Sequence, residues 1–181
     1  MRGLTIIELL VYLAILSALI AISIKVDFFS TLDRYRSYTE IKLLTDGLNK
    51  ARLLAIDSKE AITICPFTEL RCSTDWQLPI AVFSDSNSDY SLDQNETLHY
   101  LYPPLKSGII KTRSNINSGI VFTPLGHAYS SASTLIYCPN SGDNRFAKQL
   151  IIGFQGRIRK QNYLTSNATP YSSLGALSCL D

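Results

Sequence analysis

Two arginines near the carboxyl-terminal end of the chain, Arg157 and Arg159, have the type and spacing needed to hold phosphate groups. They follow Gly156, which predicts a tight turn because glycine accepts a positive φ. If a strand begins at Arg157, both arginines lie on one side, about 6.7 Å apart, with Ile158 on the other. Adjacent phosphates are roughly 6–7 Å apart, and guanidinium groups bind phosphate through paired donors. With Lys160, this segment is a candidate phosphate clamp; a hairpin with solvated arginines is the alternative.

The charge distribution favours a polyanionic partner for this end of the chain. Residues 61–104 hold one basic and six acidic side chains, a net charge of −5, whereas residues 105–181 hold eight and two, a net of +6. A basic zone of this kind attracts polyanions, although a solvated surface has the same composition. Weaker candidates are the cations Lys106, Lys111, Arg113, Arg145 and Lys148 and the tyrosines Tyr163 and Tyr171, which could stack on a base.

Glu8 is the only charged residue between Leu4 and Ile24. A helix of this length spans about 31 Å, close to the thickness of a bilayer's hydrocarbon core, so we predict a membrane-spanning helix. A carboxylate inside an apolar span is costly and needs a partner. We infer that the N-terminal amine of another chain neutralises Glu8; the alternative is a charge without a role near the helix end.

Oxygen-bearing side chains between Asp85 and Glu96 occupy positions 1, 3, 5, 7, 9 and 12, the spacing of a calcium-binding loop. Position 6 is Tyr90, where that loop requires glycine, and the flanks are predicted strands rather than helices. An acidic hairpin loop is therefore the favoured interpretation, and we assign no metal site and no cofactor. No pattern links His99 or His127 to a nucleophile, so we predict that the chain is not an enzyme.

The four cysteines, Cys65, Cys72, Cys138 and Cys179, form no CxxC pair. Their even number predicts two disulfides in an oxidising compartment rather than a zinc site. Three pairings are possible. A bond between Cys65 and Cys72 would close a short loop, and one between Cys138 and Cys179 would then tie the carboxyl terminus to a core strand.

Hydrophobic periodicity predicts the elements that position these residues. An apolar helix over 4–26 continues as an amphipathic helix over 27–60, whose apolar positions are Leu43, Leu44, Leu48, Ala51, Leu54 and Ala55. Residues 61–181 form a β-rich globular domain, with strands predicted at 61–65, 76–84, 97–102, 116–123, 134–138, 149–154 and 157–160. A long helix followed by antiparallel strands is an α+β fold.

The segment Gly3-Leu4-Thr5-Ile6-Ile7-Glu8-Leu9-Leu10-Val11 resembles the leader of type IV pilins and pseudopilins. The resemblance implies the type IV pilin fold, a long N-terminal helix packed on antiparallel β-sheets. It implies a prepilin leader over 1–3, cleavage after Gly3 by a prepilin peptidase and methylation of Leu4. It also implies that Glu8 acts in assembly and that the helix over 4–26 leaves the inner membrane to become the filament core. The globular domain would lie in the periplasm, and outside the cell once the pilus is assembled.

Within this family, the chain resembles minor pilins of the GspH/FimT type. The resemblance rests on Ala51-Arg52, Ile64-Cys65-Pro66, Cys72 with Trp76, Ala81-Val82-Phe83-Ser84-Asp85, Ile120-Val121-Phe122-Thr123-Pro124-Leu125-Gly126 and Gly156-Arg157. The subgroup includes type II secretion pseudopilins, pilus-initiating minor pilins and FimT-like minor pilins that bind DNA during natural transformation through a G-R-x-R element.

The resemblance therefore implies a minor type IV pilin that acts in competence. It would bind double-stranded DNA without sequence preference through Gly156, Arg157, Arg159 and Lys160. Its other expected partners are major and minor pilins and the prepilin peptidase. The alternative is a structural minor pilin or type II secretion pseudopilin that primes filament assembly without binding DNA.

Overall fold

A computed structural model describes residues 5–24, 28–113, 118–129, 133–162 and 179 of the chain. Within these ranges, two helices precede nine strands. The helices are α1 (Ile6–Ile24) and α2 (Phe28–Ser58). The strands are β1 (Ile62–Thr68), β2 (Arg71–Cys72), β3 (Ile80–Ser84), β4 (Leu98–Tyr102), β5 (Ile109–Arg113), β6 (Ile120–Phe122), β7 (Ser133–Cys138), β8 (Lys148–Ile152) and β9 (Ile158–Asn162). A short 3-10 helix, Asn144–Phe146, lies between β7 and β8.

Helix α2 packs against both sheets through one apolar face. Its buried residues follow the alternating spacing of three and four that keeps side chains on one side of a helix; they are Ile41, Leu44, Leu48, Ala51 and Ala55. The predicted amphipathic helix is confirmed, with one wrong position. Leu43 is 37% exposed, because it lies a third of a turn away from the buried face.

The first sheet contains β6, β1, β3 and β4 side by side, with β2 paired to the end of β1. All of its neighbouring strands run antiparallel. One face contacts α2 through residues such as Ile64 and Val82. The other face buries Cys65, Ala81 and Phe83, and is covered by the disulfide that joins Cys65 to Cys72.

The second sheet has the order β5-β7-β8-β9 and is also antiparallel, so that β9 is an edge strand. Leu135, Leu150 and Ile152 on its inner face join the core under α2. On the outer face Cys138 is bonded to Cys179. Of the three possible pairings of cysteines, the structure therefore forms Cys65 with Cys72 and Cys138 with Cys179.

The observed elements confirm the predicted α+β fold and most of the predicted strands. The strand predicted over 76–84 is shorter than expected, since it begins at Ile80, and the strand predicted to begin at Arg157 begins one residue later. Strands β2 and β5 were not predicted. Strand β2 has two residues, and β5 ends in Lys-Thr-Arg, so neither has the apolar alternation that indicates a strand.

Helix α1 is apolar and uncovered, since every side chain described between residues 5 and 21 is exposed. Ile6 is 80% exposed and Ile20 is 60% exposed. Within the described residues, neither helix combines the length and the apolar character needed to cross a bilayer. The predicted membrane span over 4–26 is therefore not confirmed.

Candidate nucleic-acid interface

The turn between β8 and β9 has the geometry that its glycines predict. The amide of Gly153 donates to the carbonyl of Arg157 at 2.9 Å, and the amide of Gly156 donates to the carbonyl of Gly153 at 2.8 Å. Gly156 has a φ of +71°, a conformation that strains residues with a side chain. These bonds therefore fix the position of the Arg157 backbone at the end of the turn.

The residues of the predicted clamp do not all lie on the same face of strand β9. Ile158 is half-buried and packs against the core, whereas Arg157 and Arg159 are exposed. Because side chains alternate along a strand, Arg159 lies on the opposite face of β9 from Ile158. Arg157 immediately precedes β9, and a common side for the two arginines stays a prediction. Lys160 pairs with the buried Leu150, and opposite residues in a ladder share a face. Lys160, although exposed, therefore belongs to the opposite face from Arg159.

Neither arginine of the clamp is neutralised within the described part of the chain, where the one ion pair joins Arg145 to Asp143. In that pair, Arg145 Nη2 lies 2.7 Å from Asp143 Oδ2. Hydrogen bonds from Arg145 lower the pKa of the Asp143 carboxyl. Arg145 is thus already engaged, which weakens it as a helper.

The other weak candidates are not gathered beside the clamp by any contact of the described residues. Lys148 is half-buried, and its pKa is lowered first by burial and then by the charge of Arg34. Lys106 borders a groove next to α2, and Lys111 lies in β5 at the far edge of the sheet from β9. Tyr163, Tyr171 and the side chain of Arg113 lie outside the described residues.

Arg52, on α2, holds the turn between β8 and β9 in place; we call residues 153–157 the clamp turn. Its Nε donates to the carbonyl of Gly126 at 2.9 Å, and its Nη2 donates to the carbonyl of Gln155 at 3.3 Å. The two turns also meet directly, because a Cβ placed on Gly156 would overlap the carbonyl oxygen of Gly126. Arg52 therefore ties the turn after β6 and the turn before β9 to the helix. The family resemblance singled out Arg52 in the sequence. The residues that accept its hydrogen bonds lie 74 and 103 positions away along the chain, so no local sequence pattern predicts these bonds.

Glu8 closes the first turn of α1. Its Oε2 accepts from the amide of Thr5 at 3.2 Å, and the hydroxyl of Thr5 accepts from the amide of Glu8 at 3.4 Å. These reciprocal bonds form a capping box, which the Thr-x-x-Glu spacing could have indicated. The cap gives Glu8 a local role besides the predicted role in assembly. Gly3 and Leu4, the predicted cleavage and methylation residues, lie outside the described residues.

The acidic loop between β3 and β4 uses its carboxylates internally. Asp85 is fully buried and accepts from the Thr63 hydroxyl at 2.6 Å and from the amides of Asp89 and Tyr90. Glu96 accepts from the amides of Ser86 and Asp93, at 2.9 Å and 3.0 Å. The structure thus forms the favoured acidic hairpin loop. Across the residues described, no three His, Cys, Asp or Glu side chains converge as a metal site would require.

Burial and the charge of Asp85 raise the pKa of the neighbouring Tyr90 hydroxyl, burial being the larger cause. Tyr90 also has a positive φ, at +64°, at the position where a calcium loop would have glycine. The backbone there therefore adopts a glycine-like conformation to bring amides onto Asp85. The carboxylates of Asp85 and Glu96 thus stabilise the loop conformation by accepting hydrogen bonds from its backbone.

An exposed apolar helix, a second helix packed on antiparallel sheets and two disulfides together form the architecture of a pilin-like subunit. A comparison with family models agrees. The family described as Type II transport protein GspH matches residues 40–156, and the chain belongs to this family. No curated protein matches the chain at a significant level.

Two solved structures share the fold. The type IV minor pilin FimU of Pseudomonas aeruginosa aligns with a TM-score of 0.59 and 20% identity, over 71% of this chain and 90% of that one. The minor pseudopilin EpsH from the type 2 secretion system of Vibrio cholerae aligns with a TM-score of 0.50 and 10% identity, over 70% and 97%. At these identities the likeness concerns the fold alone.

The chain is therefore a protein of the type IV minor pilin and pseudopilin class, as its sequence predicted. The prediction that it is not an enzyme is confirmed on the same ground, because pilins and pseudopilins are structural proteins. Membership implies association with other pilins and a location in the periplasm or in a pilus. Binding of DNA, processing by a peptidase and insertion in a membrane stay predictions.

Proposed function

We propose that this protein is a minor type IV pilin that captures DNA for uptake in natural transformation. The observation that supports this function is the exposure of Arg157 and Arg159 on either side of Ile158, which packs against the core at the start of edge strand β9. A strand repeat of about 6.7 Å matches the spacing of phosphates along a nucleic-acid strand. The site would bind double-stranded DNA without sequence preference, because phosphates are the same at every step.

The rigidity of the clamp turn supports the same proposal. Arg52 and the backbone contact between Gly126 and Gly156 fix the turn to α2, so the backbone at Arg157 needs little further ordering when its side chain meets a phosphate. The net charge of +6 over residues 105–181 favours approach of DNA to this domain. Lys160, which lies on the other face of the edge strand, would add long-range attraction rather than a third contact on the same side.

We further propose that the apolar N-terminal segment serves storage and then assembly. Although no described helix alone suffices to cross a bilayer, the sequence from Leu9 to Ile24 is interrupted only by Ser17 and Ser23. It would hold the chain in the inner membrane until cleavage after Gly3 and methylation of Leu4, and would then enter the filament core with Glu8 on a neighbour's amine. Mass spectrometry of the chain from purified pili tests the processing step, and a chain that retains Met1 there contradicts it.

A second candidate function is a type II secretion pseudopilin, favoured by the description of the matching family and by the likeness to EpsH. In that role, α1 would prime a filament and the arginines would be solvated. Deletion of the gene separates the two. Loss of transformation with pili intact supports DNA capture, whereas loss of pili or of secretion supports the structural role.

The direct test is a binding titration of the full-length protein in detergent with a fluorescent duplex. The variant Arg157→Gln/Arg159→Gln should bind about 10-fold or more weakly, since each lost phosphate contact removes a charge-assisted bond. The matched control is Arg36→Gln/Lys42→Gln, which removes two exposed charges from α2. If the clamp variant and the control lose DNA affinity equally, or if neither loses affinity, Arg157 and Arg159 do not form the binding site.

A further inference from the structure

Three exposed apolar side chains lie next to the clamp turn. Leu125 is 76% exposed, Tyr129 is 69% exposed and Phe154 is 62% exposed. Single exposed apolar residues are ordinary on protein surfaces, but these three border one groove of about 480 Å³ together with His127. We call Leu125, Tyr129 and Phe154 the apolar shelf.

The apolar shelf is held in place by the backbone beneath it. The amide of Ala128 donates to the carbonyl of Phe154 at 2.9 Å, and the amide of Tyr129 donates to the carbonyl of Val121 at 2.9 Å. The His127 and Phe154 rings pack with centroids 6.0 Å apart. The rings of Tyr129 and Phe154 are therefore exposed to solvent on backbone that these bonds hold in place. Exposed apolar area of this kind favours a ligand or partner.

The groove and the clamp are connected through one turn. Phe154 and Arg157 lie in the same turn, closed by the bond between Gly153 and Arg157 at 2.9 Å. Arg52 holds that turn and the turn that contains Leu125 against α2. Among the described residues that line the groove, none is acidic. A volume of this size is within the usual range for small-ligand sites.

Exposed arginines that follow the exposed ring of Phe154 within three to five residues match the chemistry of a strand that presents a phosphate and an unstacked base together. Bases stack on aromatic side chains without regard to sequence. In an intact duplex the bases stack on one another, so the shelf would have nothing to bind there. We propose that the apolar shelf binds an unpaired base, so that the preferred ligand is single-stranded DNA or an open duplex end. This inference rests on the proposed function of Arg157 and Arg159.

The test compares a fluorescent 20-nucleotide oligothymidine with a blunt duplex of the same length, each titrated with the full-length protein in detergent. The native protein should bind the single strand about 10-fold more tightly, the value expected for one stacked base. The variant Tyr129→Leu/Phe154→Leu keeps apolar side chains but loses the rings, and should lose that preference with its duplex affinity unchanged. The control Tyr35→Leu/Tyr38→Leu removes two exposed tyrosines of α2 and should retain the preference.

The outcomes distinguish this inference from the function on which it rests. If Arg157→Gln/Arg159→Gln weakens binding of both DNA forms while the shelf variant binds like the native protein, the clamp stands and the shelf inference is wrong. If neither variant changes binding, both are wrong. Loss of pilus incorporation by the shelf variant, with its DNA binding unchanged, would instead assign the groove to a neighbouring pilin.

A probe in the ligand keeps the inference testable if the shelf variant fails to fold. A single strand that contains 2-aminopurine changes its fluorescence when that base stacks on a ring. Binding to the native protein should alter the signal in the single strand, and tyrosine fluorescence should be quenched in parallel. A bound single strand with an unchanged 2-aminopurine signal at every position tested would overturn the shelf.

Discussion

Arg52 Nε lies 2.9 Å from the carbonyl oxygen of Gly126, which links the middle of α2 to a turn far along the chain. The same guanidinium reaches the carbonyl of Gln155 at 3.3 Å. Because the half-buried Arg52 donates to one carbonyl in each turn, it holds both turns against α2. Arg52 therefore contributes both to the stability of the domain and to the position of the candidate clamp.

We predict that Arg52→Met destabilises the protein by about 1–3 kcal/mol, because two carbonyls lose a charged donor while the apolar stem is retained. The measurement is the free energy of unfolding from a urea titration. Arg36→Met, at an exposed position of the same helix, serves as the control and should change stability by less than about 0.5 kcal/mol. Similar effects of the two substitutions would mean that Arg52 does not hold the turns.

Gly156 and Gly153 offer a matched pair in one turn. Gly156 has a φ of +71°, and its Cβ would overlap the carbonyl oxygen of Gly126; the nearest atom to a Cβ on Gly153 is 3.7 Å away. Gly156→Ala should therefore cost at least about 2 kcal/mol. Gly153→Ala should stay within about 1 kcal/mol of the native protein. Thermal unfolding of both variants checks this, and an unaffected Gly156→Ala would contradict the close approach of the two turns.

Local patterns predicted the elements well where burial follows a period. The spacing of Leu44, Leu48, Ala51 and Ala55 indicated the buried face of α2, and the glycine at 156 indicated a turn with positive φ. The prediction that Leu43 is buried was wrong, because consecutive residues of a helix point about a third of a turn apart. Leu43 therefore does not share the face of the buried Leu44. Apolar character at a single position therefore did not decide the face.

What the sequence could not predict depends on contacts between distant segments. The Arg52 bonds join residues 74 and 103 positions apart, and the shelf is formed by two separate turns that meet only in the folded domain. The alternation of Arg157, Ile158 and Arg159 was readable from strand geometry. The same alternation separates Lys160 from them, and the register of β9 against β8 shows that Lys160 lies on the side of the buried Leu150.

The two disulfides should contribute unequally to stability. Cys138 and Cys179 are 41 residues apart, whereas Cys65 and Cys72 are 7 apart. Loop entropy in the unfolded chain predicts a loss of about 4 kcal/mol for the first bond and about 2.5 kcal/mol for the second. Each pair has one buried and one half-buried cysteine, so packing losses are comparable. Urea unfolding of the two double alanine variants tests the order, and a larger loss for Cys65→Ala/Cys72→Ala would reverse it.

Asp85 should stabilise the acidic loop as a hydrogen-bond acceptor. Asp85→Ala leaves the Thr63 hydroxyl and two loop amides without their acceptor, and should cost about 2–4 kcal/mol. Asp93→Ala removes the same charge from an exposed position and should cost less than about 0.5 kcal/mol. Because Asp85 is fully buried and the described residues contain no converging group of three metal-binding side chains, we also expect millimolar calcium to leave the melting temperature unchanged. A rise with calcium that Asp93→Ala abolishes would restore the calcium-loop interpretation.

The salt dependence of DNA binding distinguishes charge from geometry at the clamp. Loss of two phosphate contacts in Arg157→Gln/Arg159→Gln should reduce the slope of log K against log salt by about 1.8 for duplex DNA. Arg157→Lys/Arg159→Lys should keep the native slope, because two cations remain, but should bind more weakly because lysine lacks the paired donors of a guanidinium. Titrations at several salt concentrations give both quantities. A lysine variant with native affinity would show that net charge alone attracts DNA, and a glutamine variant with the native slope would place the phosphate contacts elsewhere.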